Sequence, residues 1–183
     1  MRIIAGQWRG KPLVTAKGDT TRPTADRVRE TLFNMLASRL GSLEGLAVVD
    51  LFAGSGALGL EALSRGAEHC LFVEQDAGAL AALRGNIASL DARGRTTIRA
   101  GSVMDLGPAA TPSDLVFLDP PYGTGAGMVA LHRLLRLGWL GAASWAVLET
   151  AREEAVAIAG FAVEVERAIG RGKLTFLRPI PAS

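Results

Sequence analysis

The chain has 183 residues, of which 49% are hydrophobic and 21% are charged, and its net charge is +2. These values are typical of a globular protein and predict one domain over residues 1–183. One cysteine and two histidines argue against a disulfide framework or a multi-cysteine metal site, so we expect no metal. The start lacks the apolar core of a signal peptide, and the most apolar stretch, residues 45–63, contains two acids. We therefore predict a cytoplasmic protein that does not enter a membrane, and we expect a monomer.

The amino-terminal end carries most of the excess positive charge. Residues 1–40 contain eight Lys and Arg residues against three acids, whereas the remainder contains twelve against fifteen. This distribution favours a polyanionic partner, although a solvated basic surface without a partner explains the charge alone equally well. The candidates for nucleic-acid contact are Arg2, Arg9, Lys11, Arg22, Arg27 and Arg29. For the last three, ion pairs with Asp26 and Glu30 at helical spacing are an equal alternative.

The chain begins with a small extension and continues as alternating strands and helices. Apolar and polar residues alternate around Gly6 and Gly10, which predicts a β-hairpin from about Arg2 to Thr15. A polar loop completes the extension at residue 23, and Thr24 then caps a helix that ends near Leu40. Further predicted helices cover residues 56–65, 77–90 and 128–137, and predicted strands cover residues 47–51, 70–74, 96–99, 115–119 and 145–149. This alternation predicts a parallel sheet with helices on both faces, closed by a hairpin of residues 161–167 and 174–179, as the core over residues 24–183.

A glycine-rich loop follows the first core strand. Residues 50–59 contain G-x-G-x-x-G between a strand and a helix, a spacing that fits a dinucleotide or S-adenosylmethionine (AdoMet) equally well. Asp50 lies four residues before Gly54 and would repel a pyrophosphate, but it would attract a cationic ligand such as AdoMet. Glu74 ends the second strand, where an acid can accept hydrogen bonds from both ribose hydroxyls. The carboxylates therefore favour AdoMet.

A stiff corner follows the fourth core strand. It consists of Asp119, Pro120, Pro121 and Tyr122, the only tyrosine of the chain. Proline fixes φ and donates no N–H, so the corner offers acceptor oxygens beside an aromatic ring. This arrangement suits a flat substrate with an exocyclic amine, such as a nucleobase, although an ordinary turn has a similar composition.

Four blocks of the chain carry a resemblance to a known family. They are residues 1–10, the stretch 21–34 that begins Thr-Arg-Pro-Thr-Ala-Asp-Arg, the stretch 50–67 that contains the glycine loop, and the corner 119–122. The chain resembles the bacterial 16S ribosomal RNA guanine-N2 methyltransferases of the RsmD type over essentially its whole length. The resemblance implies a Rossmann-like AdoMet-dependent α/β fold with a seven-stranded, mostly parallel sheet, a carboxyl-terminal antiparallel hairpin and an amino-terminal extension. It also implies methyl transfer to one guanine of 16S rRNA in an assembled or partly assembled small subunit.

The expected site follows from these blocks. The catalytic candidates are Asp119, Pro120, Pro121 and Tyr122. The cofactor candidates are Asp50, Phe52, Ala53, Gly54, Ser55, Gly56, Glu74, Gln75, Ser102 and Val103. Two departures from the resemblance matter: Gly101-Ser102 stand where relatives often have an acid for the adenine amine, and Ile169-Gly170 replace Tyr-Gly.

Three other functions fit parts of the pattern. A DNA adenine-N6 or cytosine-N4 methyltransferase would use the same corner, but such enzymes usually add a sequence-reading region for which this chain has no length. An NAD(P)-dependent oxidoreductase would use the glycine loop, against which Asp50 and the lack of an obvious Tyr/Lys proton relay both count. A binding module without catalysis would not explain the intact corner at Asp119.

Overall fold

The computed structural model describes residues 1–16 and 23–181, so the predicted contact residue Arg22 lies outside the described residues. One sheet contains seven strands in the order β3-β2-β1-β4-β5-β7-β6. The strands are β1 (Ala47–Leu51), β2 (His69–Glu74), β3 (Thr96–Ala100), β4 (Ser113–Leu118), β5 (Leu140–Ala151), β6 (Phe161–Ile169) and β7 (Gly172–Pro179). The first five are parallel, whereas β7 is antiparallel to both β5 and β6. The predicted mixed sheet with its terminal hairpin is therefore confirmed.

Within residues 1–16 and 23–181, four α-helices cover the sheet. They are α1 (Pro23–Leu40), α2 (Ala57–Ser64), α3 (Ala77–Ser89) and α4 (Ala126–Arg136). Successive core residues of β1 point to opposite faces, so Val48 belongs to the hydrophobic cluster on one face and Val49 to the cluster on the other. Both clusters are buried, as expected for a parallel sheet between two helical layers.

The sequence order of the strands reverses between β1 and β4. In open sheets with this property, ligands bind in the crevice beyond the carboxyl ends of the strands at the reversal point. The glycine loop leaves β1 and the Asp119 corner leaves β4, so the topology places the two predicted motifs side by side at that crevice.

Three differences from the sequence prediction stand out, whereas the other helix and strand ends lie within two residues of their predicted positions. Helix α1 begins at Pro23, one residue before the predicted cap, because proline suits the first helical position. Strand β5 begins at Leu140 instead of residue 145, since its first residues include glycine and alanine and give little strand signal. The amino-terminal hairpin is reduced to one bridge between Arg2 and Pro12, beside glycines with positive φ at positions 6 and 10.

The amino-terminal segment, residues 1–16, is tethered to the core through backbone groups. The amides of Ile4 and Ala5 donate to the two oxygens of Glu61 in α2, at 2.8 and 3.0 Å. Farther along, the Val14 amide donates to Asn86 of α3. These contacts fix the segment against helices α2 and α3, next to the crevice.

Candidate active site

The strand register aligns residues of four neighbouring strands in one row near the carboxyl edge of the sheet. Leu51 of β1 pairs with Val73 of β2 and with Leu118 of β4, and Leu118 pairs with Leu148 of β5. Adjacent strands lie about 4.8 Å apart. The residues that follow each paired position therefore form a line along the carboxyl edge of the sheet. They are Glu74, Phe52, Asp119 and Glu149.

The glycine loop is held by hydrogen bonds within the protein. The Ala53 amide donates to Val73 and the Gly56 amide donates to Ala53. The Gly54 amide donates to Glu74 Oε2 at 2.8 Å. These three N–H groups already have acceptors in the protein, so a pyrophosphate could use them only by displacing those acceptors.

The glycines of the motif have different surroundings. A side chain on Gly54 would meet open space, which leaves room for a ligand. A side chain on Gly59 would strike Phe72 and Cys70, so this glycine allows α2 to pack closely on β2. Gly56 has φ of 84° and a side chain there would strike Leu83, so this glycine allows the tight turn into α2. Its contact with the cofactor stays a prediction.

Glu74 serves the loop as well as the crevice. Its Oε1 accepts the amides of Gln75 and Asp76, both at 2.8 Å, and its Oε2 accepts the amide of Gly54. A carboxylate has about four acceptor positions, so three are occupied. Glu74 can thus accept one further hydrogen bond without losing a loop contact, where the sequence predicted two from the ribose.

Asp50 lies deeper than the sequence suggested. Its side chain is 1% exposed and its Oδ2 accepts the amide of Gly59 in the first turn of α2. Burial raises the pKa of Asp50 well above its usual range, and the negative charges of Asp119 and Glu74 raise it further. Asp50 still lines a cavity of about 220 Å³ with Gly54 and Asp119, among other residues.

The cofactor-side cavity has a volume of about 610 Å³. It brings together five cofactor candidates with the whole catalytic corner. The five are Phe52, Glu74, Gln75, Ser102 and Val103. Phe52 has φ of 57°, in the left-handed region that residues with side chains seldom adopt, and such strain is concentrated at functional sites. The Ser102 hydroxyl accepts the Met104 amide, so it caps a 3₁₀ turn at Val103–Asp105. The remaining candidates Ala53, Gly54 and Ser55 line the adjoining 220 Å³ cavity.

The acceptor-side cavity has a volume of about 750 Å³ and lies on the other side of the corner. Asp119, Tyr122 and Glu149 line it, together with residues 169–172 of the β6–β7 turn. Tyr122 is 48% exposed and its hydroxyl donates to Glu149 Oε1 at 2.6 Å. Burial is the main cause that raises the pKa of the Tyr122 hydroxyl and the pKa of the Glu149 carboxyl. Asp119 lines this cavity and both others, so it lies where the two sides of the site meet.

Three of the contributors that were not predicted matter most. Glu149 ends the predicted strand 145–149 as Glu74 ends the predicted strand 70–74, and that shared position was the available signal, although β5 continues to Ala151 in the structure. Met1 lines the acceptor-side cavity, and Gly172 lies against the Tyr122–Glu149 pair. Local sequence gives no sign of either, because both positions depend on contacts between distant segments.

Glu61 joins three elements behind the site. It is fully buried and, besides the two amides of the amino-terminal segment, it accepts Arg65 Nε at 2.8 Å. Arg29 Nε lies 3.7 Å from Glu61, and Arg29 Nη2 lies 3.0 Å from Asp26. Arg29 is only 3% exposed, so it forms the structural pair and its guanidinium is not accessible to RNA. The other described candidates for RNA contact are exposed: Arg2, Arg9, Lys11 and Arg27.

Comparisons with known proteins agree with this arrangement. The family model described as "Conserved hypothetical protein 95" matches residues 1–178. The Ribosomal RNA small subunit methyltransferase D of Escherichia coli is 43% identical over 140 residues, which cover 76% of this chain and 69% of that protein. The chain belongs to this family. Its members include rRNA methyltransferases, and the predicted enzyme class, a methyltransferase, is confirmed.

Solved structures extend the family comparison to the fold. The Escherichia coli protein yhhF is 36% identical and superposes with a TM-score of 0.85, over 98% of this chain and 97% of that one. The magnesium protoporphyrin IX methyltransferase of Synechocystis, solved with bound SAM, has a TM-score of 0.65 at 17% identity, over 86% and 80% of the two chains. The latter likeness concerns the fold alone, and it confirms the Rossmann-like methyltransferase fold expected for this family.

Neither a metal site nor a membrane-spanning helix is found in the part of the chain that the structure describes. Within residues 1–16 and 23–181 there is no group of three or more His, Cys, Asp or Glu residues placed to hold a metal ion. Within the same residues, no helix is long and apolar enough to span a membrane.

Proposed function

We propose that the protein transfers the methyl group of AdoMet to the exocyclic N2 amine of a guanine in the RNA of the small ribosomal subunit. The observation that carries this proposal is the position of Asp119, which lines the cofactor-side and acceptor-side cavities at once. The names of the rRNA small-subunit methyltransferases in the family support the RNA substrate. We place the reaction in the cytoplasm, on a subunit or an assembly intermediate, and propose that the enzyme acts as a monomer.

The cofactor-side cavity fits AdoMet by size and by charge. Its volume lies within the range of small-molecule sites. Gly54 leaves open space above the loop, Glu74 has one acceptor position left for a ribose hydroxyl, and Phe52 offers an apolar surface. When bound there, AdoMet supplies a methyl group already activated by a positively charged sulfur.

The same features disfavour a nicotinamide dinucleotide. The loop amides of Ala53, Gly54 and Gly56 donate to protein oxygens, one of them the Glu74 carboxylate. A pyrophosphate would need those donors and would meet the carboxylate at close range.

The catalytic corner prepares the amine for attack. The lone pair of an exocyclic amine is delocalised into the base, so the free amine is a weak nucleophile. Asp119 and the Pro120 carbonyl would accept its two N–H groups, leaving the lone pair directed towards the cofactor-side cavity. Acceptors placed in advance also stabilise the positive charge that grows on nitrogen during the transfer. Tyr122, with its half-exposed ring, would stack on a base that is rotated out of its helix.

The substrate can be tested directly with labelled AdoMet. The protein is incubated with small subunits from cells that lack the enzyme, with naked 16S rRNA, and with duplex DNA. We expect label in the RNA of the small subunit. Label in DNA alone would contradict the proposed substrate. Tight binding of NAD(P) with no heat upon addition of AdoMet or its demethylated product, measured by calorimetry, would contradict the proposed cofactor.

A further inference from the structure

Glu149 lies on β5, the strand next to β4, and Asp119 directly follows β4. Asp119 is the residue that would accept a hydrogen bond from the amine. Leu118 of β4 pairs with Leu148 of β5, so Asp119 and Glu149 are the next residues in a shared register. Both line the acceptor-side cavity. At the usual strand spacing of about 4.8 Å, two carboxylates side by side can accept hydrogen bonds from two adjacent donors on one flat molecule.

The Tyr122 hydroxyl fixes the Glu149 carboxylate. It donates to Oε1 at 2.6 Å, which leaves Oε2 as the acceptor that we assign to the substrate. Gly172 makes room for this pair, because a side chain there would lie 2.8 Å from Tyr122 Oη and 3.0 Å from Glu149 Oε1. The pair is thus held on one side by β7 and faces the cavity on the other.

The Watson–Crick edge of guanine matches two neighbouring acceptors. Its N2 amine and its N1–H are both donors, and both nitrogens are bonded to the same carbon. Adenine and cytosine have no such N1–H beside the amine, since the corresponding ring nitrogen is an acceptor. A carboxylate facing that acceptor would be left unpaired, which is costly in a partly buried site.

We propose that Glu149 accepts the N1–H of the target guanine and thereby selects guanine over bases in which the neighbouring ring nitrogen is an acceptor. This inference rests on the proposed function, because it assumes that the amine held by Asp119 is the N2 amine of guanine. Asp119 then holds the reacting amine, Glu149 selects the base, and Tyr122 both stacks on the base and fixes Glu149.

The experiment uses 2-aminopurine, which keeps the 2-amine but has an acceptor at N1. The methylated guanine is first located by mass spectrometry of subunit RNA treated with the wild-type enzyme. Substrates carrying guanine or 2-aminopurine at that position are then compared by kcat/KM. We expect the wild-type enzyme to prefer guanine by about 100-fold.

The variant Glu149→Gln should reduce this preference to within about tenfold, since a glutamine amide can donate to the N1 acceptor. The matched control Glu164→Gln changes an exposed carboxylate on β6 and should keep the wild-type preference. The missing O6 of 2-aminopurine affects all variants equally, so the comparison of ratios isolates the contact at N1.

An unchanged ratio in Glu149→Gln would overturn the inference while leaving the proposed function intact. If Glu149→Gln fails to fold or is inactive on both substrates, the same ratio in Tyr122→Phe decides, with a reduced preference expected and an unchanged one contradicting the proposal. Absence of guanine methylation by the wild-type enzyme would instead refute the proposed function.

Discussion

The two sides of the site are built in different ways. On the cofactor side, one loop and the strand end next to it supply most of the contacts, and the loop is held by its own amides and by Glu74. On the acceptor side, the contacts come from side chains at Asp119, Tyr122 and Glu149, with Gly172 and Met1 from more distant segments. A backbone site tolerates changes of nearby side chains, whereas a side-chain site depends on each group separately.

Among the substitutions, we expect the one at Asp119 to have the largest effect on activity. Replacing Asp119 with Ala removes an acceptor of the proposed amine, and we expect a loss of about 10³-fold in kcat with AdoMet affinity largely kept. Single-turnover methylation and calorimetry measure the two effects separately. The control Glu68→Ala removes an exposed acid near the opposite edge of the sheet and should be neutral. Normal turnover of the Asp119 variant would remove this residue from the mechanism.

Glu61 joins the amino-terminal segment and Arg29 of α1 to helix α2, behind the site. The variant Glu61→Ala leaves the buried Arg29 with one carboxylate fewer and leaves the amides of Ile4 and Ala5 without their acceptor. We expect a loss of about 3–5 kcal/mol in the free energy of unfolding, measured by denaturant titration. The control Glu44→Ala, at an exposed acid before β1, should change stability little. A neutral Glu61 variant would show that the amino-terminal segment is held by other contacts.

The basic amino-terminal segment should affect RNA binding and leave the cofactor side unchanged. Reversing Arg2, Arg9 and Lys11 to Glu should weaken binding to the small subunit by tenfold or more at low salt and lower its salt dependence. AdoMet affinity should stay the same. The matched triple reversal of Arg84, Arg93 and Arg136 changes exposed charges outside the cavities. Equal effects of the two triples would make the amino-terminal charges ordinary surface.

A substitution at Gly172 should affect the acceptor side alone. Its φ is not in the left-handed region, so alanine is compatible with the backbone, but the new methyl would displace the Tyr122–Glu149 pair. We expect Gly172→Ala to lower kcat/KM for RNA about tenfold while AdoMet affinity is unchanged. The matched control is Gly107→Ala, because the new methyl there meets open space and φ is not in the left-handed region. Gly138 would not serve as a control, because its φ is positive. A parallel loss of AdoMet affinity would contradict the separation of the two sides.

Asp50 should give the smallest effect, visible as a pH dependence of stability. Burial raises the pKa of Asp50 in the folded protein above its unfolded value, so the folded state holds a proton that the unfolded chain releases. This contribution is complete below the unfolded pKa, which is about 3.9, and is lost as the pH rises through the folded pKa. Asp50→Asn should therefore match the wild type in acid and be the more stable protein at neutral pH. Denaturant titrations at several pH values check this, and parallel curves for the two proteins would contradict it.

The sequence predicted the cofactor side better than the acceptor side. The motif at residues 50–59 lies between a short apolar strand and an apolar helix, so its position on the sheet followed from local pattern. Even there, the burial of the Asp50 side chain and the closeness of Gly56 to Leu83 were not predicted, because the motif does not reveal how closely α2 packs on β2.

The acceptor side depends on strand register, which a single sequence does not state. Glu149 becomes significant only when Leu118 is paired with Leu148, and Gly172 only when β7 returns beside β5. Arg29 shows the same limit from the other direction. Its charge suggested RNA contact or an ion pair equally, and only the packing of α1 against Glu61 decides between them.

The most direct test is the chemical identity of the methylated nucleoside. Small subunits methylated by the purified protein are digested to nucleosides and separated by liquid chromatography with mass spectrometry. We predict that N2-methylguanosine appears with the wild-type protein and disappears with Asp119→Ala. Formation of N6-methyladenosine or N4-methylcytidine in its place would contradict the assignment of the acceptor side to guanine.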